Sequence, residues 1–126
     1  GGVLAMHDPT EGGISGGLNE MAEASGTGFE VYGDQIYVSK ETSEICRYFR
    51  IEPLNLIGSG SLLIAATPEK AKGVVSEIES LGIRASIVGE FLADKSIRRI
   101  VKRDGSVCPL VMPEFDDLWV ALKRKV

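Results

Sequence analysis

The residues with the most chemistry per unit length stand near the start of the chain, in Met6-His7-Asp8-Pro9-Thr10-Glu11-Gly12-Gly13-Ile14-Ser15-Gly16-Gly17. Four glycines fall in the first two turns of a segment that reads as a helix, where each costs ~0.5–1 kcal/mol relative to Ala. A helix start that carries this cost needs close access to its backbone. Two needs fit: free N–H groups at the positive helix end that cradle a phosphate, or a second backbone packed tightly on the glycine face. Asp8 adds a carboxylate for a metal or a proton, and Thr10 a hydroxyl for an anion. A plain turn with Thr10 as helix cap, and glycines packed on a sheet, accounts for the pattern equally well. Glycine pairs without a Walker-type Lys do not decide between the two.

Other candidates are weaker. His7 is the only histidine, and neighbours on an extended segment point to opposite faces, so His7 and Asp8 do not form a dyad. A hydrogen-bonded structural role for His7 is expected. Gly58-Ser59-Gly60 is a second glycine cluster, read either as another wall of a ligand cleft or as a turn entering a strand, with the turn preferred. Glu20 and Glu23 read as a solvated helix face, Met6 and Met21 as core. Trp119 reads as an anchor in the core or at a domain interface. No metal-ligand set is expected.

These residues need elements to position them. Residues 3–6 read as a buried strand leading through His7-Asp8-Pro9 to a helix capped by Thr10, with Ile14, Leu18, Met21, Ala22 and Ser25 as its stripe and Gly26 as its stop. Residues 28–32 read as a strand and 35–38 as a further extended piece. Ser39 caps a second helix that turns Ile45, Cys46 and Phe49 inward and ends near Arg50. After a loop around Pro53, the run Leu62-Leu63-Ile64-Ala65-Ala66 predicts a central strand covered on both faces. Thr67-Pro68-Glu69 starts a third helix, with Ala71, Val74, Val75, Ile78 and Leu81 as its buried stripe. Alternation at Ile83, Ala85 and Ile87 predicts a strand. Asp104-Gly105 predicts a two-residue hairpin turn between strands at 97–103 and 106–112. Pro113 opens a last helix carrying Phe115, Leu118, Trp119 and Leu122 on one side, with Glu114, Asp116 and Asp117 at its positive end and Lys123 and Arg124 at its negative end. The order β-α-β-α-β-α-β-β-β-α gives one layered α+β domain, a mixed sheet covered by helices and partly ferredoxin-like.

The 126 residues, 44% hydrophobic and 25% charged with a net charge of −4, suffice for one core and exclude disorder, collagen and a disulfide scaffold. Cys46 and Cys108 lack C-x-x-C spacing and read as packed thiols of a cytoplasmic protein. The longest apolar run is far short of the ~20 residues that span a bilayer, and the acidic balance argues against a nucleic-acid surface. The start at Gly1-Gly2-Val3, without an initiator Met and directly in strand sequence, reads as a fragment whose N-terminal part is missing.

The run at residues 6–13, continued by Leu18-Asn19-Glu20-Met21-Ala22-Glu23-Ala24-Ser25-Gly26, resembles the start of the C-terminal domain in the aminoimidazole ribonucleotide (AIR) synthase-related, PurM-like superfamily. Within it the sequence is most similar to the hydrogenase expression/formation (HypE) family, where the run typically reads M-R-D-P-T-R-G-G. Gly28-Phe29-Glu30-Val31, Ile51-Glu52-Pro53-Leu54-Asn55-Leu56 and Val88-Gly89-Glu90 extend the resemblance over most of the chain. It implies a two-domain, ATP-dependent enzyme of which residues 1–126 are the second domain, inactive alone. The N-terminal domain forms a homodimer and carries most of the ATP and Mg2+ ligands. The second domain closes over that site with its glycine loop facing the cleft. The implied reaction phosphorylates an amide or carbamoyl-type oxygen, in the service of [NiFe] hydrogenase maturation with other maturation proteins as partners. On that basis Asp8, Thr10, Gly12 and Gly13 are the phosphate- or substrate-binding candidates, and His7, Glu11, Gly58, Ser59 and Gly60 candidate cleft wall. His7 and Glu11 stand where the family has Arg, and the tail Leu122-Lys123-Arg124-Lys125-Val126 lacks the family's terminal Pro-Arg-Ile-Cys. A paralogue acting on a different substrate fits these departures. A non-catalytic small-ligand module is the alternative. Protein docking through an apolar patch near Trp119 is the third reading.

Overall fold

The computed structural model describes residues 1–123. The element order is the expected one: β1 (Val3–His7), α1 (Gly13–Ser25), β2 (Gly28–Tyr32), α2 (Lys40–Phe49), β3 (Leu63–Ala66), α3 (Pro68–Ser80), β4 (Gly89–Leu92), β5 (Arg98–Val101), β6 (Val107–Pro109) and α4 (Asp117–Lys123). Single turns of 3-10 helix lie at Gly33–Gln35 and Pro53–Asn55. The strands form two sheets: a four-stranded mixed sheet in the order β4-β2-β5-β6 and a two-stranded antiparallel sheet of β1 and β3.

The larger sheet holds the core. Alternation sends Phe29 and Val31 of β2 and Ile100 of β5 to one face, where they are buried with Leu18 and Ala22 of α1, Leu54 and Leu110. Arg98, on the same face, reaches α1 through Glu23 (2.9 Å) and Asn19 Oδ1 (3.3 Å). On the opposite face Arg99 Nε donates to Glu30 Oε2 (2.6 Å) and Tyr32 donates to Glu30 Oε1 (3.0 Å). The guanidinium bond, reinforced by that of Tyr32, holds the Glu30 carboxyl below the usual carboxylate range.

Several expectations are corrected. Residues 62–66 do not form a central strand: among the described residues β3 pairs only with β1, and Leu62 lies outside the strand and exposed. Helix packing half-buries β3 with a strand on one side alone, and an apolar run cannot distinguish this from a central strand. Met6 is 65% exposed and so is not core. Of the extended piece expected at 35–38, Gln35 closes the 3-10 turn and Ile36 is extended, with no strand assigned there. Residues 83–88 are not a strand either, and the ladder to β2 is made by Gly89–Leu92. Ile83 and Ile87 consequently stay exposed. Of the α3 stripe, Leu81 is exposed and the rest half-buried.

In α2, Cys46 is buried as expected but Ile45 is exposed; Ser39 caps the helix by accepting from Thr42 N–H. The hairpin turn is longer than the expected two residues: Gly105 N–H bonds Lys102 O and Lys102 N–H bonds Ser106 O, with only Gly105 at positive φ. This is the three-residue loop with a glycine bulge, since a two-residue type I′ turn needs positive φ twice. The last helix begins at Asp117 and leaves Phe115, Trp119 and Leu122 exposed, so Trp119 is not a core anchor. Arg124, expected at its basic end, lies outside the described residues.

Candidate functional site

The glycine-rich segment is built by approach of one backbone to another. Gly12 (φ 81°) and Gly13 (φ 63°) are both left-handed, a conformation that side chains resist. A Cβ on Gly13 would also fall on the carbonyl oxygens of Leu54 and Leu56. Gly17 packs against Leu63, Pro9 and His7, where a Cβ would stand 2.9 Å from the Leu63 methyl. Of the two needs posed by the glycines, close packing is therefore met visibly. Helix α1 starts later than expected: Gly12, not Thr10, is the N-cap, and no side chain caps it. The Thr10 carbonyl instead accepts from Gly13 N–H (3.1 Å) and Gly58 N–H (3.2 Å), which fastens the second glycine cluster onto the first.

The other loop residues fall into place around this contact. Asp8, Thr10 and Glu11 are exposed, and Pro9 is buried beneath them. His7 does not meet Asp8; its Nε2 contacts Glu20 Oε2 at 2.7 Å, tying β1 to α1. Glu20 and Glu23, expected as a merely solvated face, each take a partner, His7 and Arg98. Gly58 lies against Pro9, whereas Ser59 and Gly60 are an exposed turn.

The residue that sequence reasoning missed is Asp116. Its side chain comes from just before α4 and is 4% exposed. Oδ2 accepts from Gly12 N–H (2.7 Å), and Oδ1 accepts from Ile57 N–H (3.1 Å) and Leu118 N–H (2.8 Å). The last bond is an N-cap; the first two reach across the fold. Asp116 is thus not one of three interchangeable acids at a helix end. It also revises the expected role of the glycine amides: Gly12 N–H is engaged by Asp116 and Gly13 N–H by Thr10 O. The neighbouring Asp117 accepts from Glu52 N–H (2.8 Å). Burial, with the charges of Glu52 and Asp117 nearby, pushes the Cys46 thiol up.

Two further buried polar groups flank this region. Asn19 Nδ2 donates to Ser15 O (2.8 Å) and Leu110 O (3.1 Å). The Ser15 hydroxyl is fully buried and has no hydrogen-bond partner among the described residues. An open cleft of about 610 Å³ lies between the 3-10 turns and the β5–β6 hairpin, with Ile36, Leu54, Ile100, Lys102, Cys108 and Met112 among its walls. It does not include the glycine segment. Among the described residues no cluster of three His, Cys, Asp or Glu side chains could hold a metal, and no helix is long and apolar enough to cross a membrane.

Comparisons with known proteins agree with this architecture. Residues 1–102 match the family model described as AIR synthase related protein, C-terminal domain. The chain is 36% identical over 94 residues to carbamoyl dehydratase HypE of Rhizobium leguminosarum bv. viciae, covering 73% of this chain and 27% of the relative. It is 37% identical over 89 residues to a putative hydrogenase expression/formation protein of Methanocaldococcus jannaschii, covering 69% and 27%. Among solved structures, Escherichia coli HypE superposes with TM-score 0.84 at 29% identity, over 92% of this chain and 36% of that one. A HypE structure in complex with ATP gives TM-score 0.84 at 23% identity, over 92% and 37%, a likeness of fold. The chain thus spans 27% of the length of these two curated relatives. The match over residues 1–102 places the chain in the AIR synthase-related family, in its C-terminal domain, with HypE proteins among its relatives.

Proposed function

We propose that this chain is the second domain of a two-domain, ATP-dependent, HypE-like enzyme that activates an amide or carbamoyl-type oxygen by phosphorylation, in hydrogenase maturation or on a related substrate. The observation that carries the reading is the family match over residues 1–102, which includes the whole Asp8–Gly13 run. In this reading an ATP-binding domain, N-terminal to the chain and dimeric in the cytoplasm, supplies the larger part of the site. ATP, when bound with Mg2+, supplies the phosphoryl group.

The chain's own contribution is the exposed rim of the glycine segment. Asp8 and Thr10 present a carboxylate and a hydroxyl to solvent beside the positive end of α1. There Thr10 takes a phosphate or substrate oxygen and Asp8 orients the loop or a magnesium-bound water. The donor set fits a supporting role, since one exposed carboxylate does not make a metal site. His7 is partnered by Glu20 and Gly12 N–H by Asp116, so a phosphate that reaches Gly12 N–H takes the place of that carboxylate.

Calorimetric titration of the intact two-domain protein with ATP and Mg2+ tests the reading. Binding that weakens on Asp8→Ala or Gly12→Val is expected. Absence of binding, or binding indifferent to both changes, removes the glycine segment from the site. A second reading, docking to another protein, is favoured by the exposed Phe115, Trp119 and Leu122. It predicts that Trp119→Ala abolishes complex formation while the glycine-loop variants leave it intact.

A further inference from the structure

Gly12 N–H lies at the positive end of α1, the place where helices hold oxyanions. Here that place is taken by a carboxylate arriving from 104 residues away. Ile57 N–H points at the same carboxylate, so two backbone donors from different loops converge on one buried anion. In the same first turn the buried Ser15 hydroxyl lacks a partner among the described residues.

The segment that delivers the carboxylate is held mainly by polar bonds. Phe115, just ahead of α4, and Trp119 and Leu122 within it are exposed, and Leu118, Val120 and Ala121 are no more than half-buried, so α4 has no fully buried apolar residue. Its connections to the loops are Asp116 to Gly12 and Ile57 and Asp117 to Glu52. An attachment of this kind opens more readily than one sealed by apolar packing.

We propose that Asp116 is an internal anionic ligand of the glycine loop. A phosphate-bearing ligand and the Asp116 carboxylate compete for the same N–H groups, so oxyanion binding at the loop and attachment of residues 113–123 are mutually exclusive. The inference rests on the reading of the glycine segment as part of a phosphate site, and adds to it a self-occupied resting state.

The test is titration of the 15N-labelled chain with inorganic pyrophosphate, following the Gly12 and Ile57 amide resonances and the emission of Trp119, the single tryptophan. In the wild type, pyrophosphate is expected to shift both amides and change Trp119 emission in one saturating step. Asp116→Ser is expected to bind about tenfold more tightly, the worth of one charge-assisted hydrogen bond, with no linked Trp119 change. Equal or weaker binding by a folded Asp116→Ser protein overturns the competition. If Asp116→Ser is unfolded by circular dichroism, the wild type decides: pyrophosphate binding without a Trp119 change contradicts the proposal. Should pyrophosphate leave Gly12 and Ile57 unmoved while the intact enzyme binds ATP through Asp8, only the competition fails. Should neither occur, the phosphate reading of the loop fails with it.

Discussion

The four-stranded sheet and the β1–β3 sheet are stabilised in different ways. In the first, Phe29, Val31 and Ile100 are buried against α1, and removal of apolar surface from water holds the layers together. In the second, Leu4 and Met6 stand in solvent, and the glycine segment beside it is fixed by backbone contacts and one carboxylate. Apolar packing tolerates small shifts, whereas a carboxylate shared by three N–H groups sets positions to a few tenths of an ångström. A loop that must present backbone in one geometry is better served by the second arrangement.

The contrast can be broken most forcefully in the core. Phe29→Ala is expected to lower stability by ~3–5 kcal/mol through lost burial and a cavity, measured by urea unfolding. A loss under ~1 kcal/mol would place the core elsewhere. Gly13→Ala comes next, at ~1–3 kcal/mol, because the added methyl meets the Leu54 and Leu56 carbonyls at a positive φ. Its loss should concentrate in the glycine segment, visible as faster exchange at Gly12 and Gly58.

Smaller effects sharpen the other side of the comparison. Glu30→Gln should matter only at pH values where the carboxylate is charged. A group whose folded pKa is depressed stabilises above its unfolded pKa and loses that contribution as pH falls through the folded value. Wild type and Glu30→Gln should therefore differ in melting temperature near neutrality and converge in acid. Met6→Ser should change stability by less than ~0.5 kcal/mol in this chain, since its side chain is already mostly in water. A large loss would mean that the β1–β3 sheet is covered.

Much of the first arrangement was legible in the sequence. The strand at 28–32 was read where β2 lies, the stripe at Leu18 and Ala22 marked α1, and Asp104-Gly105 marked the β5–β6 hairpin, whereas alternation at 83–87 marked a strand that does not form. These signals are local, and their partners follow from period alone. The second arrangement was legible only as a question, since four glycines announce close backbone approach without saying to what. Asp116 was the hardest to find. Its position just ahead of Asp117 and an apolar stretch marks it as an N-cap by the usual rule, but nothing local links it to Gly12. The same limit explains the misread β3, whose apolar run says that it is covered and not by what.

The claim that one carboxylate fixes the glycine segment is tested most directly by amide hydrogen exchange at Gly12 and Ile57, compared between the wild type and Asp116→Asn. The structure predicts both amides protected in the wild type and exchanging at least ~10-fold faster in the variant, with Phe29 and Val31 unchanged. Wild-type exchange at Gly12 as rapid as at the exposed Gly105 would contradict it.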